Sequence, residues 1–168
     1  MRSLLVVMAL TGSATAAPAI TSTTRIAATQ AAKGEITGKT TLVRQTRLAD
    51  GGALQLHRSE DSQLQIAMRD RSGAWMAWRK QDGLHAAEEV ESVVVSRGKD
   101  IVWFHLRVRY DVRRHDVVIG CKPGKQLRCA AVDTTRDWTT SAFISGTTVT
   151  TRYSVDGRLH VVTNKLAL

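Results

Sequence analysis

A chain of 168 residues with 43% hydrophobic content and only two prolines carries enough apolar material for a packed core, and it lacks the long low-complexity runs of a disordered secreted tail. No self-similar period of about 20 to 50 residues runs through it, which disfavours a propeller or solenoid. Its 24 lysines and arginines against 15 acids give a formal charge of +9, and that excess directs attention to anionic partners, polyanions or an acidic protein.

In chain order, Arg2, the apolar run from Leu4 to Leu10 and the small residues from Gly12 to Ala17 have the three parts of a secretory signal peptide over residues 1–19, cleaved after Ala16 or after Ala19. The apolar run is too short to anchor the chain, because a membrane span needs about 20 helical residues, and no later segment approaches that length. No cysteine stands directly after either cleavage site, which argues against a lipoprotein. The expected location is periplasmic or extracellular, with no transmembrane segment in the mature chain. Residues 20–34, with the Ala-rich "RIAATQAAKG", read as a flexible or short helical lead-in ended by Gly34.

Residues 35–168 read as a single β domain. A first strand runs from Glu35 to Leu48, turns at Asp50, Gly51 and Gly52, and returns through Leu54 and Leu56. "QLQIAMRDRSGAWMAWRK" reads as two strands around a turn from Arg69 to Gly73, with a further reversal at Gln81 to Gly83. Residues 86–96, "AAEEVESVVVS", divide between an Ala-Glu half that favours helix and a Val run that favours strand; strand is the better fit. "SRGKD" turns into "VWFHLRVRYDVRRHDVVIGC", and Asp156-Gly157 gives the strongest hairpin signal. The expected fold is an all-β antiparallel meander of about nine or ten strands, a sandwich or a small closed barrel. An outer-membrane barrel would need aromatic girdles, and only eight aromatic residues are present, none of them in the last strand.

Cys121 and Cys129, separated by the turn-rich "KPGKQLR", are placed to close a hairpin disulfide in an oxidising compartment. Their spacing is wrong for a catalytic dithiol, and no further Cys or His stands at metal-ligand spacing, so neither metal nor cofactor is expected. Alternation through the same hairpin puts Phe104, Leu106, Val108, Tyr110 and Val112 on a core face and His105, Arg107, Arg109, Asp111 and Arg113 on the opposite face. Arg107, Arg109, Arg113, Arg114, Lys122, Lys125 and Arg128 then form a candidate anion-binding surface, with a bland alternative in which they simply face water. Trp75 and Trp78, three apart on one strand, point to opposite faces. The exposed one is a candidate contact for a sugar ring or a membrane interface.

A catalytic reading finds no nucleophile elbow, no His-Glu-x-x-His and no phosphate loop. The best available pairing sets His105 or His115 as a base oriented by Asp111 or Asp116 across neighbouring strands. His105 and Asp111 are too far apart along a strand, and His115 and Asp116 point apart. Three classes remain: an exported non-enzymatic module for a polyanion such as an envelope polymer, a lipid headgroup or nucleic acid; a protein–protein module, such as a secreted-enzyme inhibitor or an envelope assembly subunit, using an apolar patch around Trp75, Trp78 or Trp138; and a small secreted hydrolase.

Overall fold

The computed structural model describes residues 18–36, 38–79, 87–134 and 141–168; residues 1–17 of the signal peptide expected over 1–19, Lys80, the reversal expected at Gln81 to Gly83, His85 and Trp138 lie outside the described residues. Fourteen strands are present among the described residues: β1 (Ile20–Ala27), β2 (Thr29–Gln30), β3 (Ala32–Lys33), β4 (Thr40–Arg47), β5 (Ala53–Ser59), β6 (Leu64–Arg69), β7 (Trp75–Arg79), β8 (Glu89–Arg97), β9 (Val102–Tyr110), β10 (Arg113–Lys122), β11 (Arg128–Asp133), β12 (Ser141–Ser145), β13 (Thr148–Val155) and β14 (Arg158–Ala167). They form a front sheet in the order β1-β14-β13-β12, a middle sheet β2-β11-β10-β9-β8 and a back sheet β3-β7-β6-β5-β4. All the pairings are antiparallel apart from β1 with β14.

The middle sheet has a core on each side. Phe104, Leu106, Val108, Val117 and Ile119 face the back sheet and meet Leu54, Leu56, Ile66 and Met68. Trp103, Val118, Ala130 and Val132 face the front sheet and meet Val149 and Leu166. Each fully buried aliphatic or aromatic side chain here contributes roughly 1.5–3 kcal/mol. Burial on both sides explains why β10 holds an unbroken apolar run, Val117 to Cys121, instead of an alternation. Gly120 is needed within that run because the Trp103 ring lies against it: a Cβ would come within 2.5 Å of the ring.

Several expectations are overturned. The segment 20–34, expected to be flexible or a short helix, contains strands and no helix: β1, β2 and β3 take it successively through the front, middle and back sheets. The β-branched residues of β1 match strand geometry, and Ala31, between β2 and β3, is buried against the large core where a small side chain fits. These added strands raise the count beyond nine or ten. Nor is there a closed barrel, since no ladder joins β4 to β8 among the described residues. Arg97 bridges those two edges instead, donating to Thr46 Oγ1 (2.6 Å) and to the Arg47 carbonyl (2.5 Å). The core face of the β9–β10 hairpin also stops short: Tyr110 and Val112 are 38% and 67% exposed, because Asp111-Val112 is the turn, with Asp111 at φ 56°.

Other local signals are realised. Glu89–Arg97 is strand and contains no helix. Gly51 and Gly73 take positive φ in their turns, and Asp156 and Gly157 both do so between β13 and β14, as a two-residue hairpin of mirror-image type requires. Cys121 and Cys129 are direct cross-strand partners, bonded with Cα atoms 4.2 Å apart, which is consistent with an oxidising compartment. No helix among the described residues is long and apolar enough to cross a membrane.

Candidate anion-binding surface

β10 runs from Arg113 at one end of the sandwich to Lys122 at the other, about 30 Å at strand rise. The seven basic residues singled out in the sequence are therefore split between two ends. At the far end three of the four arginines are held by carboxylates. Arg107 donates from Nε to Asp116 Oδ1 (3.1 Å) and from Nη2 to Oδ2 (3.4 Å). Arg109 donates to Glu89 Oε2 from Nη2 (2.6 Å) and Nε (2.9 Å), and Arg114 Nε donates to Glu91 Oε1 (2.6 Å).

These pairs follow from register. Glu89 stands directly across from Arg109. A bulge between Val90 and Ser92 puts Glu91 out of alternation, and its carboxylate meets Arg114 two strands away. Hydrogen bonds and charge from Asp116 and Glu89 raise the pKa values of Arg107 and Arg109. Arg113, at the exposed hairpin corner, makes no ion pair among the described residues.

The near end differs. Lys122, Lys125 and Arg128 surround the β10–β11 turn, and with Lys33, Met76 and Pro123 they line a cleft of about 560 Å³ that contains no acidic residue. None of these four cations forms an ion pair among the described residues. Across Lys122 and Pro123 a second cleft, of about 380 Å³, adds Arg47, Arg97 and Lys99, with Asp50 and Asp100. Arg47 also lines a third cleft, with Arg69 and Arg71 beside Asp70.

Two of those three aspartates make hydrogen bonds within their own turns. Asp50 Oδ1 accepts from the Gly52 amide (2.9 Å). Asp70 Oδ1 accepts from Ser72 Oγ (2.6 Å) and the Ala74 amide (2.9 Å), bonds that hold its pKa below the ordinary carboxylate value. Thus the turns β4–β5, β6–β7, β8–β9 and β10–β11 combine into a loop end that is positive overall. The disulfide sits at the base of the last of them and fixes where Lys122, Lys125 and Arg128 emerge.

The two tryptophans do take opposite faces. Trp78 is buried in the larger core, with Nε1 donating to Thr29 Oγ1 (2.7 Å). Trp75 is half-buried on the outer face of the back sheet, where the Arg69 guanidinium lies 5.8 Å from its ring centroid. Trp103 is buried between sheets and offers no contact surface.

Of the histidine–carboxylate pairings the sequence offered, the structure forms His105 with Asp116, while His115 takes Asp133, which the sequence reading did not name. His105 Nε2 reaches Asp116 Oδ2 (3.5 Å) diagonally across the β9–β10 ladder, and His115 Nε2 reaches Asp133 Oδ1 (3.4 Å). Spacing along one strand could not rank them, because the partners stand on neighbouring strands. The His115 and Asp133 side chains are sealed, so the cleft of about 350 Å³ that touches Asp133 meets only its backbone. Among the described residues no three His, Cys, Asp or Glu side chains group to hold a metal ion. Comparison with protein-family models, curated proteins and solved structures gives no match for this chain.

Proposed function

We propose that this protein is an exported, non-enzymatic binding module that holds a linear polyanion along its loop end. The observation that carries this reading is the run of three adjoining clefts, linked through Lys122 and Arg47, in which cations outnumber carboxylates and Lys33, Lys122, Lys125 and Arg128 have no protein counter-ion among the described residues. Relative to the expectation from sequence, the contact surface moves from Arg107, Arg109 and Arg114, whose charges are locally compensated, to Lys122, Lys125 and Arg128. Their extended arrangement suits a chain of anionic groups better than a single anion. A protein-docking reading has less support, because Trp78 is buried and the exposed large apolar side chains, Leu42, Val94, Phe143 and Leu159 among them, lie on separate strands.

The test is retention of the oxidised mature protein on immobilised heparin, compared with a simple cation exchanger at matched salt. Lys122→Gln/Lys125→Gln/Arg128→Gln should abolish the excess retention and reduce the slope of log affinity against log salt by about 2, three contacts being lost. A variant of equal charge change at exposed sites away from the clefts, Arg25→Gln/Arg113→Gln/Arg158→Gln, should keep it. Equal losses in both variants would mean that only net charge matters, and the reading would fail.

A further inference from the structure

Resting on the loop-end reading, we infer that the polyanion is an acidic polysaccharide, and that its sugar rings lie on the outer face of the back sheet with Trp75 as the stacking platform and Gln45 and Gln55 as partners for hydroxyl groups. The register puts these residues on one face, in two neighbouring cross-strand rows, Trp75-Arg69-Ala53-Arg47 and Ala77-Ala67-Gln55-Gln45. Trp75 is the cross-strand partner of Arg69, and Gln55 is the partner of Gln45. Along β4, β5, β6 and β7 the side chains that point away from the middle sheet include no carboxylate, whereas Arg47, Arg69 and Arg79 are among them. The face is continuous with the loop end, because Gln45, Arg47 and Arg69 also line the third cleft.

The amides are oriented by one another. Gln55 Nε2 donates to Gln45 Oε1 (2.8 Å), Gln55 Oε1 is 3.1 Å from His57 Nε2, and His57 Nδ1 is 3.2 Å from Thr40 Oγ1. Burial lowers the His57 pKa, which favours a neutral ring that can donate through one nitrogen and accept through the other along this row. Gln45, an exposed residue, uses its amide oxygen in this row. Amides beside an aromatic ring and arginines supply what an acidic sugar presents: hydroxyls, an apolar ring face and a carboxylate or sulfate.

A nucleic acid fits less well. Single-strand binders interleave several aromatic platforms with their basic residues, and Trp75 is the one aromatic side chain on the described part of this face.

The experiment titrates the oxidised protein with polygalacturonate, inorganic polyphosphate and a single-stranded homopolymer DNA at matched charge concentration and salt. The variants are Trp75→Ala, Trp75→Phe, Gln45→Ala/Gln55→Ala and the loop-end triple glutamine variant. Trp75→Ala should weaken polygalacturonate about tenfold, equivalent to about 1.4 kcal/mol, and leave polyphosphate within about twofold. Trp75→Phe should recover most of the loss, which guards against a folding artefact. The glutamine pair should behave like Trp75→Ala, while the loop-end variant should weaken polygalacturonate and polyphosphate alike. If Trp75→Ala affects neither ligand, affects both equally, or acts most on DNA, the polysaccharide assignment is overturned while the loop-end site stands. If the loop-end variant changes nothing, the underlying reading fails as well.

Discussion

Asp116→Asn probes the idea that carboxylates hold the far-end arginines. The Asp116 side chain is 4% exposed and accepts two hydrogen bonds from Arg107, with His105 Nε2 also within 3.5 Å. Desolvation pushes its pKa up, but the hydrogen bonds and charge of His105 and Arg107 outweigh it, and the net direction is below the ordinary aspartate value. Asparagine keeps one acceptor and turns the other into a donor facing donors. Arg107, with a 52% exposed side chain, can return to water, so the cost is less than stranding a buried charge.

What remains is the loss of charge-assisted hydrogen bonds, roughly 1.5–3 kcal/mol, and at about 3 °C per kcal/mol for a chain of this size a fall in Tm of roughly 5–9 °C. A depressed folded-state pKa means that Asp116 stabilises fully above about pH 4 and loses its contribution as pH falls through the lower folded-state value. Urea unfolding of wild type and Asp116→Asn at pH 7 and pH 3 tests both parts. The two curves should be well separated at pH 7 and converge in acid. A separation under about 0.5 kcal/mol at pH 7, or one that does not shrink in acid, would refute the reasoning.

Gly120→Ala drives a methyl group into the Trp103 ring, with contacts of 2.5, 2.9 and 3.0 Å, and should cost roughly 1–3 kcal/mol in urea unfolding; a neutral result would mean that the ring moves aside freely. Cys121→Ser/Cys129→Ser removes a ring of about nine residues, worth roughly 2–3 kcal/mol, and should weaken heparin binding with no change in charge, because it loosens the Lys122 to Arg128 turn. Glu89→Gln/Glu91→Gln releases Arg109 and Arg114 and should increase heparin retention while changing stability by less than about 1 kcal/mol; unchanged retention would show that those arginines were already available to anions.

The local signals of the fold were readable because each rests on a few neighbouring residues. Gly51, Gly73 and Asp156-Gly157 mark turns through backbone freedom, and Phe104, Leu106 and Val108 mark a core face through alternation. The number of layers was not read, although a trace of it exists. Val117 to Cys121 are five consecutive apolar residues, a pattern that alternation cannot produce and that a strand covered on both faces does. The lead-in strands were hidden for another reason: β2 and β3 have two residues each, too few for any period to register, and their placement depends on the chain crossing three sheets.

The same distinction governs the candidate site. Composition locates charge along the chain, but compensation is a property of pairs across strands, and a run such as Arg107 to Arg114 looks uncompensated only while Glu89, Glu91 and Asp116 are unplaced. Once the sheet is assembled, the cross-strand spacing of about 5 Å brings those acids to the arginines. Asp50 and Asp70, by contrast, form their hydrogen bonds within their own turns and do not neutralise a cation across a cleft. The fold therefore separates a neutralised end from a positive one, and it is the second, built from four turns remote in sequence, whose uncompensated charge would reach the proposed anionic chain over the roughly 8 Å screening length of physiological salt.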